Sequence, residues 1–300
     1  MADSPPAPQV REERHGPIAV LILDSPPVNV LSRGLLDALD RALRTAGEAP
    51  EIRAIVLASA SEKAFAAGAS IREMAPLGPR EARRHGQRGQ ALTRTIERLP
   101  IPVIAAVNGV CLGGGCEVAL ACDFIVASEE AQFGQPEIRL GVMPGWGGTR
   151  RLPRRIGAAR ARRWIYLGEP VSARDAERIG LVDRVVPREE LRAAALALAS
   201  ELARQPPVAL AAAKYAVLAA LDPGIDAGLR YELDLWARLF GTSDQKAGMR
   251  AFLEKRPFSP EGREGWAERS GGFPWAAARR AHRAPRRSGR GKRGGRSGRH

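Results

Sequence analysis

The chain is poor in the residues from which many active centres are built. Of its 300 residues, three are cysteine and four are histidine. Cys111, Cys116 and Cys122 are odd in number and crowded together, which excludes the paired framework of a disulfide-stapled secreted domain. With four and five residues between them and no histidine nearby, they fit no zinc site, so small buried thiols in a reducing compartment are expected. The histidines, His15, His85, His282 and His300, stand far from any nucleophile-like motif, which argues against a Ser-His-Asp or Cys-His hydrolase. Long apolar runs are also missing. The longest uncharged stretch, residues 99–116, contains Pro100, Pro102, Asn108 and four glycines, and reads as a buried strand and a glycine loop rather than a membrane span. No basic segment followed by an apolar run opens the chain, so a soluble cytoplasmic protein is expected, with no membrane partner.

What is present is a core and an uneven charge. With 44% hydrophobic and 27% charged residues, the chain can bury a sizeable interior. The net charge is +14, but residues 261–300 hold twelve Lys/Arg against three Asp/Glu, so +9 belongs to them and +5 to the remainder. That segment loses all periodicity and is rich in Arg, Gly, Pro and Ser, so it reads as a disordered basic tail. Such a tail suits nonspecific, salt-sensitive contact with nucleic acid, although Trp266, Phe273 and Trp275 precede its densest basic part and form no interleaved stacking platform. Residues 1–16, rich in Pro and charge, read as a flexible N-terminus, with structure beginning near Pro17.

The apolar runs at residues 18–23, 52–58 and 103–107 are strand-length and rich in β-branched residues, as expected of strands covered on both faces. Between the first two, leucines at 35, 36, 39 and 43 follow Ser32, a good N-cap, and predict an amphipathic helix. A second helix is expected over about 80–98. Strand, helix, strand, helix, strand is an α/β pattern with partly parallel pairing. After Gly157 the pattern turns almost wholly helical, over 157–167, 172–179, 188–204, 207–220, 225–240 and 243–254, with one short strand at 181–186.

The most unusual local feature is the run from Asn108 to Glu117, where a strand meets three consecutive glycines and then a helix-compatible stretch over 117–122. A helix opening there points unpaired N–H groups and its positive dipole end at whatever lies beyond, which suits an anion or a developing oxyanion. The phosphate-loop Gly-Lys-Ser/Thr is absent and the glycine spacing is not that of a dinucleotide fold. Glu117 follows at once in apolar surroundings, and Glu137 appears twenty residues later. Two such carboxylates can divide acid and base work, because burial and mutual repulsion separate their pKa values. The plain alternative is two surface charges among 33 acidic residues.

An ordered series of blocks resembles the crotonase, or enoyl-CoA hydratase/isomerase, superfamily, and most closely its enoyl-CoA hydratases. The blocks are KAFAAGASIREM at 63–74, AVNGVCLGGGCE at 106–117, QFGQPE at 132–137 and GVMPGWGGT at 141–149, with GLVDRVVP at 180–187 and DQKAGMRAFLEKR at 244–256 further on. The resemblance spans roughly residues 17–260. It implies a spiral of ββα turns over 17–200, a helical trimerisation region over 201–260, and assembly as a homotrimer or homohexamer. It implies an acyl-CoA thioester substrate and no cofactor beyond the coenzyme A carried by that substrate. Ala69 and Gly114 match the backbone donors of the oxyanion hole, and Glu117 and Glu137 the two acidic positions that hold a water and move its protons. Ala67, Gly68, Ser70, Ile71 and Arg72 match the stretch that binds coenzyme A, with Lys63 available for phosphate charge. Two positions depart from the usual pattern: Ser70 stands where many relatives carry Asp, and Trp146 where the loop walling the acyl pocket often has a small residue. The implied reaction is hydration of a trans-2-enoyl-CoA to a 3-hydroxyacyl-CoA. The alternatives are another reaction of the family, isomerisation or acyl-CoA hydrolysis, or a non-catalytic RNA-binding protein of this fold.

Overall fold

The computed structural model describes residues 9–220 and 225–260; the basic segment 261–300 and its expected disorder lie outside the described residues. In chain order the elements are β1 (Gln9–His15), β2 (Ile18–Asp24), α1 (Arg33–Glu48), β3 (Ala54–Ser59), β4 (Ala64–Ala66), α2 (Ile71–Met74), α3 (Pro79–Arg98), β5 (Val103–Val107) and β6 (Val110–Leu112). They continue with α4 (Gly114–Ala121), β7 (Phe124–Ser128), β8 (Gln132–Gly134), a 3-10 turn (Pro136–Leu140), α5 (Gly148–Ile156), α6 (Ala158–Leu167), β9 (Val171–Ser172), α7 (Ala173–Arg178) and β10 (Arg184–Val186). A 3-10 turn (Arg188–Glu190) then leads to α8 (Leu191–Ala203), α9 (Pro207–Ala220), α10 (Ile225–Leu239) and α11 (Ser243–Leu253). Among the described residues no helix is long and apolar enough to cross a membrane.

Two sheets organise these elements. The six-stranded sheet runs β1-β2-β3-β5-β7-β10, and every neighbouring pair is parallel except β1 with β2. The four-stranded sheet runs β4-β6-β8-β9, with the first three strands parallel. The continuous apolar run of β2 has a direct cause in this layering. Ala19, Leu21 and Leu23 face a core shared with α1 and α4, while Ile18, Val20 and Ile22 face a second core closed by Leu191, Ala195 and Ala199 of α8. A strand buried on both faces has no polar side to alternate with. Helix α1 follows its leucine pattern, burying Leu35, Leu36, Leu39 and Leu43, and Ser32 caps it by accepting the Leu35 N–H at 3.3 Å.

One expectation is corrected. Residues 9–15 are not a flexible lead-in but β1, paired with β2 in continuous register from Gln9↔Asp24 to His15↔Ile18. A two-residue turn joins the strands, and Gly16 takes the positive φ of 56° at its first position. The ladder draws on backbone groups that every residue has, so composition did not foretell it. The charged side chains serve the exposed edge instead: Arg11 pairs with Asp24 at 2.9 Å and Arg14 with Glu51 at 2.6 Å. Helix α4 also begins three residues earlier than its apolar pattern suggests, inside the glycine run.

Candidate active site

The parallel order β4-β6-β8 sends three chain segments out of the same end of the smaller sheet. After β4 comes the stretch with Ala67 to Arg72, after β6 comes Gly113 and α4, and after β8 come Gln135 and the turn bearing Glu137. Segments leaving the carboxyl ends of adjacent parallel strands converge without further design.

The first segment is pinned by its own backbone. Ala67 N–H donates to Val28 O at 3.0 Å, Leu31 N–H donates to Gly68 O at 2.9 Å, and Ser70 N–H donates to Leu31 O at 3.4 Å. Ala69 N–H, between these, takes no partner among the described residues. The Ser70 hydroxyl accepts the Glu73 N–H at 3.3 Å and so caps α2. Ile71 and Arg72 are exposed on that short helix, and Lys63 is exposed before β4.

The second segment enters α4 through Gly113, whose φ of 51° and ψ of −124° no L side chain readily adopts. A methyl group there would also stand 3.2 Å from Glu137 Oε1. Gly114 N–H is the first of the helix and has no intrahelical acceptor. A methyl on Gly68, itself at φ 106°, would lie 3.7 Å from that nitrogen. The two free N–H groups, Ala69 and Gly114, thus belong to segments in direct contact.

Glu117, one turn into α4, is only 2% exposed. Its Oε1 accepts the backbone N–H of Trp146 and of Gly148, each at 2.7 Å. Burial pushes its carboxyl above the ordinary value, against the pull of these loop donors and of the Arg151 charge. Glu137 is half-buried, and burial pushes its carboxyl up to about 7, with the negative Glu117 adding to the rise. The amide of Gln135, fully buried, lies 3.1 and 3.3 Å from the two Glu137 oxygens, with its N–H turned towards them.

Trp146, 4% exposed, occupies a slot made by missing side chains. Its indole lies where a methyl on Gly89 of α3 would meet it at 2.2 Å and a methyl on Gly114 at 2.4 Å. The loop holding it is locked by Arg151, whose Nη1 donates to Trp146 O at 2.8 Å while Nε and Nη2 each reach Glu97 at 2.7 Å. The three cysteines are free and buried.

Residues 13–263 match the sequence profile of the enoyl-CoA hydratase/isomerase family. The chain belongs to that family. Among its relatives, the short-chain-enoyl-CoA hydratase of Clostridium acetobutylicum is 41% identical over 245 residues, covering 81% of this chain and 94% of the relative. The crotonyl-CoA hydratase of Syntrophomonas wolfei is 40% identical over the same shares. A crystal structure of an enoyl-CoA hydratase from Bacillus anthracis superposes with a TM-score of 0.79 at 37% identity, covering 83% of this chain and 97% of that one. The crotonase fold expected from the ordered blocks is therefore the observed one.

The sequence pointed to Ala69, Gly114, Glu117 and Glu137 as one group, and the structure brings them together. Ser70 enters as a helix cap, and Trp146 as a filled wall beside Gly114. Gln135 and the loop N–H groups of Trp146 and Gly148 join this group unmarked by sequence, because backbone donors and a lone amide leave no chemical signature there. Gln135 did lie inside the QFGQPE block.

Proposed function

We propose that the protein is an enoyl-CoA hydratase for short 2-enoyl-CoA thioesters. The observation that carries this reading is the pairing of one buried and one half-buried carboxylate, Glu117 and Glu137, with two N–H groups that take no partner among the described residues, on segments that touch. Conjugate addition puts negative charge on the thioester oxygen, and Ala69 and Gly114 N–H supply the donors for it, Gly114 backed by the dipole of α4. Glu117, held by the loop donors, takes a proton from water as the water oxygen bonds to C3. Glu137, whose carboxyl titrates near neutrality, delivers a proton to C2 and is restored from solvent or from Glu117. The sum is one water added, giving a 3-hydroxyacyl-CoA, and the step so written draws on no redox group or metal.

Trp146 supports the short-chain assignment, since its indole already fills the space between Gly89 and Gly114. Two relatives named for short-chain and crotonyl substrates point the same way. In this reading the backbone of Ala67 to Arg72 lines the coenzyme A path, with Ile71 and Lys63 at its mouth. The exposed Leu229, Leu233, Trp236 and Phe240 of α10 and the residue that follows it favour a homotrimer or homohexamer, a buried role for apolar side chains that a lone chain leaves in water. A cytoplasmic location accords with free thiols.

The test is the loss of conjugated enoyl-thioester absorbance with trans-2-enoyl-CoAs of increasing length. Hydration of crotonyl-CoA that declines with chain length is expected. Binding of CoA thioesters without hydration of any enoyl chain would transfer the site to another reaction of the family.

A further inference from the structure

His85 of α3 is 8% exposed, and neither ring nitrogen has a hydrogen-bond partner among the described residues. Buried polar atoms in folded proteins are almost always satisfied, so two on one ring call for a partner that arrives from outside. Its surroundings say where that partner comes from. The imidazole lies beside Trp146, with ring centroids 5.7 Å apart and planes tilted by 47°. It stands one turn before Gly89, on which the indole rests, and the same indole covers Gly114. It also feels the charges of Glu73, Arg33 and Arg88. Glu73 belongs to α2, which Ser70 caps immediately after Ala69. His85 is thus packed on the indole that covers Gly114, and it feels the charge of the short helix that follows Ala69.

We propose that His85 is a specificity residue that hydrogen-bonds an oxygen carried at the far end of a short acyl chain, so that the preferred thioester is an oxygenated 2-enoyl-CoA rather than a plain hydrocarbon one. The inference rests on the site being one for acyl-CoA thioesters. Burial lowers the pKa of the imidazole and so favours its neutral form, which offers one N–H and one bare nitrogen. A hydrocarbon tail leaves both unpaired, whereas a distal hydroxyl or carboxylate takes the N–H, and a hydroxyl can instead give its proton to the bare nitrogen. Sites built for such a bond reject the analogue that lacks it. Arg33 and Arg88 favour a carboxylate at that end and Glu73 a hydroxyl, which the experiment separates.

The experiment compares kcat/KM for crotonyl-CoA, 4-hydroxy-2-butenoyl-CoA and glutaconyl-CoA in the wild-type protein, His85→Phe and His85→Gln. The wild type should favour one oxygenated substrate over crotonyl-CoA by about tenfold or more, the phenylalanine variant should lose that preference, and the glutamine variant, which keeps a donor, should retain part of it. A ratio that is the same in wild type and His85→Phe overturns the proposal while leaving the hydratase reading intact. Should His85→Phe fail to fold, an unchanged ratio in His85→Gln overturns it equally. If no enoyl-CoA is hydrated at all, it is the hydratase reading that fails. His85 is then judged by calorimetric affinity for butyryl-CoA against 4-hydroxybutyryl-CoA and glutaryl-CoA: a preference lost in the variants supports it, and equal ratios overturn it.

Discussion

Replacing Glu137 by Gln separates what this carboxyl does for chemistry from what it costs the fold. The folded protein holds its pKa at about 7, against an ordinary 4.5. Between those values the native state binds more protons than the unfolded chain, so its stability falls as pH rises through the window and is lowest above the folded pKa. At ~1.36 kcal/mol per pH unit the gap sets a ceiling of about 3 kcal/mol, which partial exposure of the carboxyl trims to about 1–2 kcal/mol. Glutamine is nearly isosteric, cannot titrate, and keeps an oxygen to face the Gln135 amide. The variant should therefore gain stability relative to wild type by about 1–2 kcal/mol on going from about pH 5 to about pH 8. Urea unfolding at fixed protein concentration measures this, and taking the difference between the two proteins cancels every other titrating group. In the proposed reaction the same substitution should lower hydration by about 10²–10⁴-fold. A stability difference that is the same at both pH values would refute the claim that burial raises this group's pKa.

Two further outcomes follow from single contacts. Glu117→Gln preserves an oxygen for the Trp146 and Gly148 N–H groups, so the loop and CoA-thioester affinity should survive while turnover falls by about 10²–10⁴-fold; unchanged turnover with crotonyl-CoA would remove Glu117 from the proton transfers. Ser70→Ala deletes the cap of α2 and should cost about 1 kcal/mol in urea unfolding, while affinity for coenzyme A thioesters falls because the segment beyond Ala69 loosens. Loss of affinity without loss of stability would give Ser70 a direct ligand contact instead.

Much of this architecture is readable from side-chain pattern, for reasons visible in particular elements. The two-sided burial of β2 produces an unbroken apolar run, and the one-sided burial of α1 produces leucines at helical spacing behind a serine cap. Glu117 stands out because a charge inside a wholly buried helix is rare. What stays illegible depends on backbone or on distance. β1 is held by main-chain bonds that any sequence can make, and its charged residues disguise it. The anchoring of Glu117 comes from N–H groups about thirty residues away, and those groups have the same chemistry at every position. His85, one of four histidines, acquires meaning only once both nitrogens are found buried and unpaired. The proposed short-chain preference likewise depends on an indole whose seat is formed by glycines far apart in sequence.

That seat can be tested as a unit, because Trp146 and Gly114 share one volume. Gly114→Ala directs a methyl to within 2.4 Å of the indole, so either the ring or the N-terminus of α4 must move. Overpacking of this kind costs about 1–3 kcal/mol, and displacement of the Gly114 N–H should lower hydration by about 10²–10³-fold, as losing one oxyanion donor does. Trp146→Ala empties the slot and should cost about 3–5 kcal/mol while admitting longer acyl chains. Combined, the two substitutions relieve each other: the methyl enters space the indole has left, so α4 keeps its place and Gly114 N–H its aim. The double variant should be less destabilised than the sum of the single changes and should recover turnover lost in Gly114→Ala, now with chains longer than crotonyl. Strict additivity in both stability and turnover would mean that the indole does not press on the donor. A short-chain preference, if measured, would then have to arise elsewhere in the site.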